Sequence, residues 1–261
     1  MATKGKVALV TGSTSGIGLA IATELARVGY NIVINGFGEA AAIEKERANL
    51  ENTYGVKCIF LGCDISKPEE VEKMIKDAEA QLGSLDVLVN NAGIQFTALT
   101  EDFPIDKWQQ IININLSGVF YGTHYALAGM KKRGYGRIIN IASAHGLVAS
   151  PTKIAYVAAK HGVVGMTKVV ALEVGTADIT CNAICPGWVE TPLALKQVQD
   201  RAAKEGRDYK EVEHEFLVEK QPNARWAKPE EIALMVVYLV SEGARGVTGA
   251  ALSIDGGWTA G

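Results

Sequence analysis

One short stretch constrains this chain more than any other. The apolar run Val7–Thr11 gives way to Gly12-Ser13-Thr14-Ser15-Gly16-Ile17-Gly18, and a helical pattern follows from Ile17 to Val28. A glycine-rich turn that leaves a strand and opens a helix lets the backbone reverse sharply and lie close to a ligand. The helix start adds unpaired N–H groups and the positive end of a dipole, which together suit a pyrophosphate. Such a turn alone is weak evidence, but strand before and helix after is the context the chemistry requires.

The remaining pattern repeats that unit. Asn31–Asn35, Lys57–Gly62, Val87–Asn90, Arg137–Ala142, Ile179–Ile184 and Leu252–Ile254 read as further strands. Helical patterns lie between them at Ala40–Asn52, from Pro68 to Leu82, from Ile105 to Lys132, and at Ile154–Val174. Near-continuous apolar strands alternating with helices predict an α/β fold, a doubly wound Rossmann-type parallel sheet of about seven strands with helices on both faces. The 261 residues are read as one such domain, 1–261. Residues 191–223 are charge-rich, break the rhythm after the sixth strand, and are read as a helical lid over the substrate, with a plain surface excursion as the alternative.

Composition narrows the classes. A net charge of −3 and the lack of a basic stripe argue against nucleic acid. Residues 1–6 lead straight into a strand with no signal-peptide core, and the longest apolar run, Ile232 to Val240, is too short to span a membrane. A cytoplasmic protein without a membrane partner is expected. Cys58, Cys63, Cys181 and Cys185 form no CxxC pair and sit around predicted strands, so reduced buried thiols are expected, with a disulfide as the lesser alternative. No histidine stands at ligand spacing to them, and no metal is expected.

The chemistry is carried by Tyr156 and Lys160, four apart on a predicted helix and so on one face. A nearby ammonium lowers a phenol's pKa and fits tyrosine to take or give a proton at an alcohol. Ser143, at the end of the fifth strand, can donate to a developing oxyanion. A Tyr-x-x-x-Lys pair alone could be an ordinary surface pair, but the serine thirteen residues upstream makes that reading hard to hold. Were the helix to begin near Pro151, Lys153 would join the same face at i, i+3 and i+7. A second cation there, with His145 and Gln95 nearby, points to a negatively charged substrate, the bland alternative being a lysine pointing to water.

The Gly-x-x-x-Gly-x-Gly spacing, together with Asn90-Asn91-Ala92-Gly93 after the fourth strand, resembles the short-chain dehydrogenase/reductase family over essentially the whole chain. The resemblance implies a hydride-transferring enzyme with a catalytic set of Asn115, Ser143, Tyr156 and Lys160, in which Asn115 anchors a water of the proton relay. It implies a nicotinamide cofactor held by Gly12, Thr14, Ser15, Gly16, Ile17, Gly18, Phe37, Asp64, Ile65, Asn91, Ala92, Gly93, Tyr156, Lys160, Pro186, Gly187, Val189 and Thr191, with Asp64 beside the adenine. The second strand ends in Asn35-Gly36-Phe37-Gly38, which offers neither the acid usual for a ribose diol nor a cation for a 2′-phosphate. The missing cation favours NAD.

Four further segments, 35–38, 142–150, 185–189 and 255–259, resemble family members acting on a short 3-hydroxy acid. That resemblance implies Gln95, His145, Lys153 and Gln197 on the substrate carboxylate, Ser143 and Tyr156 at the reacting oxygen, and Trp188 against the aliphatic end. Phe96 and Glu190 depart from the pattern, where histidine and arginine are expected. A carrier-protein reductase, a polyol dehydrogenase and a non-catalytic nucleotide sensor remain as rivals. The resemblance also implies a homotetramer built on the helices after strands four and five.

Overall fold

The computed structural model describes residues 5–261. The first four residues, on which the reading of the N-terminus partly rests, lie outside the described residues. Seven strands form one parallel sheet in the order β3-β2-β1-β4-β5-β6-β7. They are β1 Val7–Val10, β2 Asn31–Ile34, β3 Cys58–Phe60, β4 Val87–Asn90, β5 Tyr135–Ile141, β6 Asp178–Pro186 and β7 Ala251–Ile254. The helices are α1 Gly16–Arg27, α2 Ala40–Tyr54, α3 Pro68–Leu82, α4 Ile105–Ile112, α5 Gly118–Arg133, α6 Ile154–Glu173, α7 Pro192–Glu205, α8 Tyr209–Val218 and α9 Pro229–Leu239.

Strand alternation explains the two layers. Along β1, Ala8 and Val10 enter a core with Ile21 and Leu25 of α1, Leu50 of α2 and Val236 of α9. Val7 and Leu9 point the other way, into a core with Met74 of α3, Met130 of α5 and Val170 of α6. A strand buried on both faces must be apolar throughout, which is why these strands carry no polar alternation. Asn90 and Asn140, buried in the sheet centre, are paired. The Asn90 amide donates to Asn140 Oδ1 (2.9 Å), and the Asn140 amide donates to Thr167 Oγ1 (2.9 Å).

The structure corrects several expected boundaries. The stretch 105–132 is two α-helices joined by a π-helical turn, Asn113–Ser117, rather than one uninterrupted helix. β5 begins at Tyr135, where it pairs with Asp178 of β6, and β6 runs on to Pro186, where it pairs with Ile254 of β7. α6 begins at Ile154, as its pattern predicts, so the earlier start near Pro151 that would have put Lys153 within the helix is not realised. Lys153 is its N-cap, with φ −118° and ψ 30°, and Thr152 before it lies in the left-handed region at φ 67°. The expected i, i+3, i+7 face therefore starts one residue outside the helix.

The charge-rich stretch after β6 folds as α7 and α8. No helix among the described residues is long and apolar enough to cross a membrane. The four cysteines are buried free thiols, each pushed above the usual thiol range by that burial.

Candidate active site

The sheet reverses its winding between β1 and β4, and there the carboxyl ends of the strands open into a crevice, the place where ligands bind in such folds. The cavity there measures about 560 Å³. One wall is the glycine-rich turn and the start of α1. Space dictates its glycines: a Cβ on Gly12 would lie 2.9 Å from Ala92 Cα, and one on Gly18 would collide with the Gly12 carbonyl oxygen. Asn91 braces the same turn, donating its amide to the carbonyl oxygens of Thr11 (2.8 Å) and Gly12 (3.1 Å). The N-cap Ser15 makes no side-chain cap, and the first turn of α1 holds no acidic residue. The helix start thus turns its donors and dipole toward the cavity, and the site fits a dinucleotide's pyrophosphate.

Every residue expected at the cofactor lines this cavity, from Gly12 and Thr14–Gly18 through Phe37, Asp64, Ile65 and Asn91–Gly93 to Pro186, Gly187, Val189 and Thr191. At the end of β2, Asn35 turns inward. Its amide donates to the carbonyl oxygens of Leu61 (3.0 Å) and Cys63 (3.3 Å), so it is committed to the fold rather than offered to a ribose. Phe37 stands 75% exposed at the rim. The Asp64 carboxylate accepts from the Ser66 hydroxyl (2.7 Å) and amide (3.0 Å). The only lysine or arginine on the cavity wall, among the described residues, is Lys160.

Ser143, Tyr156 and Lys160 meet on the opposite wall, the first at the end of β5 and the others a turn apart on α6. Burial raises the Tyr156 phenol above its ordinary value, and the Ser143 hydroxyl beside it pulls the other way. Lys160 donates to the Ile141 carbonyl oxygen (2.7 Å), and its ammonium stands 5.6 Å from the Tyr156 ring centroid. Its removal from water pushes its pKa down to about 8. Asn115 lies in the π-helical turn, fully buried and behind this wall. Its side chain holds Ile94 at both polar atoms, accepting from the amide (2.9 Å) and donating to the carbonyl (2.8 Å).

The residues expected at the substrate divide into two groups. Gln95, Trp188 and Gln197 line the cavity; His145 and Lys153 do not. His145 is buried, its backbone amide donating to Ser143 Oγ (3.1 Å) and its ring edge-on to Trp258 at 4.9 Å. Burial, and then the charge on Lys153, pushes its pKa down to about 3, so the imidazole is neutral. Lys153 lies behind Trp188, with its ammonium 4.7 Å from that ring's centroid. Burial, and then Lys220, pushes it down to about 8. Phe96 and Glu190 do not line the cavity: Phe96 packs edge-on against Phe103 at 5.6 Å, and Glu190 is exposed.

Two residues around the site escaped the sequence reading. Trp258, within the Asp255–Thr259 segment, packs at 5.7 Å from Trp188, which also stacks on Phe216 of α8 at 4.3 Å. Its place after a strand and a Gly-Gly turn was the available signal. Gln221, 1% exposed, accepts from the Trp188 amide and donates to the Arg225 carbonyl oxygen (2.7 Å). Nothing in the polar run around it marks it out.

A buried Ser–Tyr–Lys cluster facing a glycine-rich dinucleotide cradle defines a class, and the chain belongs to the short-chain dehydrogenase/reductase family. A family model described as enoyl-(acyl carrier protein) reductase matches residues 12–259. Among curated proteins the chain is 54% identical to a D-beta-hydroxybutyrate dehydrogenase of Cupriavidus necator, over 98% of both chains. It is 48% identical to one of Rhizobium meliloti, over 98% of this chain and 99% of the relative. The fold is also that of a solved actinorhodin polyketide ketoreductase with NADPH, at 38% identity and a TM-score of 0.91 over 97% of each chain.

Proposed function

We propose that this chain catalyses the reversible oxidation of D-3-hydroxybutyrate to acetoacetate with NAD. The observation that carries the reading is the meeting of Ser143, Tyr156 and Lys160 across the cavity from the α1 cradle, with a lysine and a neutral histidine directly behind. The names of the relatives supply the substrate.

Gly12, Thr14–Gly18, Phe37, Asp64, Ile65, Asn91–Gly93, Tyr156, Lys160, Pro186, Gly187, Val189 and Thr191 hold the cofactor in this reading. A bound NAD would supply the hydride acceptor for the carbon bearing the hydroxyl. The residues handle the rest. Ser143 donates to the substrate oxygen and holds it beside the phenol. Tyr156, whose pKa is raised by burial and would be drawn back down together by the Ser143 hydroxyl, the Lys160 ammonium and the positive charge of a bound oxidised nicotinamide, takes the hydroxyl proton as the carbonyl forms, so one hydride and one proton leave the alcohol. Asn115 fixes the loop at Ile94 and would anchor the water through which that proton departs. Among the described residues no lysine or arginine lines the cavity near the end of β2, which supports NAD over NADP.

Lys153, His145, Gln95 and Gln197 hold the carboxylate, and Trp188 packs on the methyl end. Lys153 then exchanges the face of Trp188 for a full negative charge, a stronger partner than an aromatic quadrupole. The stretch 191–223, with α7 presenting Gln197 to the cavity, serves as the lid of a single domain. Exposed Phe120 on α5, and Val169 and Leu172 on α6, support a homotetramer through those helices. The four unpaired thiols accord with a cytoplasmic setting.

Tyr156→Phe tests the chemistry. It is expected to lower turnover of D-3-hydroxybutyrate by about a thousandfold, while NAD affinity, read by fluorescence titration, stays close to wild type. A variant that keeps its rate would overturn the assignment.

A further inference from the structure

Among the described residues only two non-glycines have positive φ, Thr152 at 67° and Ala224 at 51°. Thr152 is the unexpected one. A β-branched side chain crowds the left-handed region, so a threonine held there is strained and must be fixed by its surroundings. Two contacts fix it. Its hydroxyl donates to the Pro151 carbonyl oxygen (2.6 Å), and its own carbonyl oxygen accepts from the Ala98 amide (3.0 Å). The second contact reaches the loop that carries Gln95. The next residue, Lys153, caps α6 and accepts at its carbonyl from the Val157 amide (2.9 Å). Thr152 is thus the link where the Gln95 loop, the Lys153 backbone and the start of the Tyr156 helix join.

We infer that Thr152 is a positioning residue for substrate selection: its left-handed backbone sets Lys153 at the head of α6 and ties it to the Gln95 loop, so that both can address one carboxylate. The inference rests on the proposed role of Lys153. A relaxed Thr152 would turn Lys153 away from the site and free the Gln95 loop. It would leave Ser143, Tyr156, Lys160 and the cofactor cradle in place, since none of them bonds to it.

Thr152→Val keeps the shape but loses the hydroxyl bond that holds the turn, whereas Thr152→Asn supplies a side chain that tolerates the left-handed region. For Thr152→Val, KM for D-3-hydroxybutyrate is expected to rise about tenfold, with kcat and NAD affinity nearly unchanged. Thr152→Asn should bring KM back to within about twofold of wild type and raise the melting temperature. A merely structural role would lower the melting temperature of Thr152→Val and leave KM alone, and that result would overturn the inference. So would equal losses in KM and NAD affinity. Lys153→Ala, assayed alongside, separates the two levels. A raised KM there with a wild-type KM in Thr152→Val defeats only the role of Thr152, whereas an unchanged KM in Lys153→Ala defeats the carboxylate reading beneath it.

Discussion

Lys153 and Lys160 show how burial assigns different work to one residue type. Both are pushed down to about 8 by loss of water, yet one lies against an aromatic face and the other is bonded to a carbonyl oxygen in the cavity wall. Lys153 carries its charge below that pH and loses it above. Hydroxybutyrate KM is therefore expected to rise as pH climbs past about 8, and steady-state kinetics from pH 7 to 9.5 would show it. Lys153→Ala should raise KM by tenfold or more at pH 7, about 1.4 kcal/mol, and leave direct NAD titration unchanged. Equal losses in both would remove the lysine from the substrate side. Gly18→Ala should do the reverse, weakening NAD at least tenfold, because its Cβ would strike the Gly12 carbonyl oxygen. An alanine variant with wild-type NAD affinity would contradict the cradle. Residue identity was legible where chemistry dictates residue type, as at Tyr156 and Lys160. Placement was not: nothing in His145 or Lys153 says that Trp188 and Trp258 stand beside them.

The π-helical turn Asn113–Ser117 is the clearest case of an element invisible to pattern. Apolar spacing runs on from α4 into α5, and one extra residue per turn leaves no compositional mark. Its effect is local and specific, since it delivers Asn115 to both polar atoms of Ile94 and pins the loop that follows Gly93. Asn115→Ala should leave those two part-buried groups without their side-chain partner, cost about 1–3 kcal/mol of stability, and reduce kcat more than it reduces NAD affinity. Denaturant midpoints and single-turnover rates would check the two effects separately. Strands and most helices were legible because two-sided burial imposes apolar runs and because glycine or proline punctuates their ends. The start of α6 at Ile154 was legible too, whereas the left-handed Thr152 that keeps Pro151 and Lys153 outside the helix leaves no periodic signal.

At the scale of the molecule, sheet order and the crevice at the switch between β1 and β4 follow from repeated strand–helix units, and they place the cofactor end before any side chain is considered. Titration of the buried groups then shapes the stability of the whole chain. His145 folds neutral, with its pKa down from 6.5 to about 3, so the unfolded state takes up the proton first. The stability this group contributes is complete above pH 6.5 and is lost as pH falls toward 3, at a slope of about 1.4 kcal/mol per unit. Urea unfolding at pH 7, 5 and 4 should show the loss, and a His145→Asn variant should flatten it. The outer face of α6, with Leu172 84% exposed, gives the proposed tetramer a test: if it forms through this face, Leu172→Glu should shift light scattering to smaller species. The most direct measurement is the initial rate of NADH formation with D- and L-3-hydroxybutyrate, each with NAD and with NADP. The proposed chemistry and site predict turnover of the D form with NAD, and little with the L form or with NADP. Absence of turnover with either enantiomer, in an enzyme that still binds NAD, would contradict the assignment of the substrate.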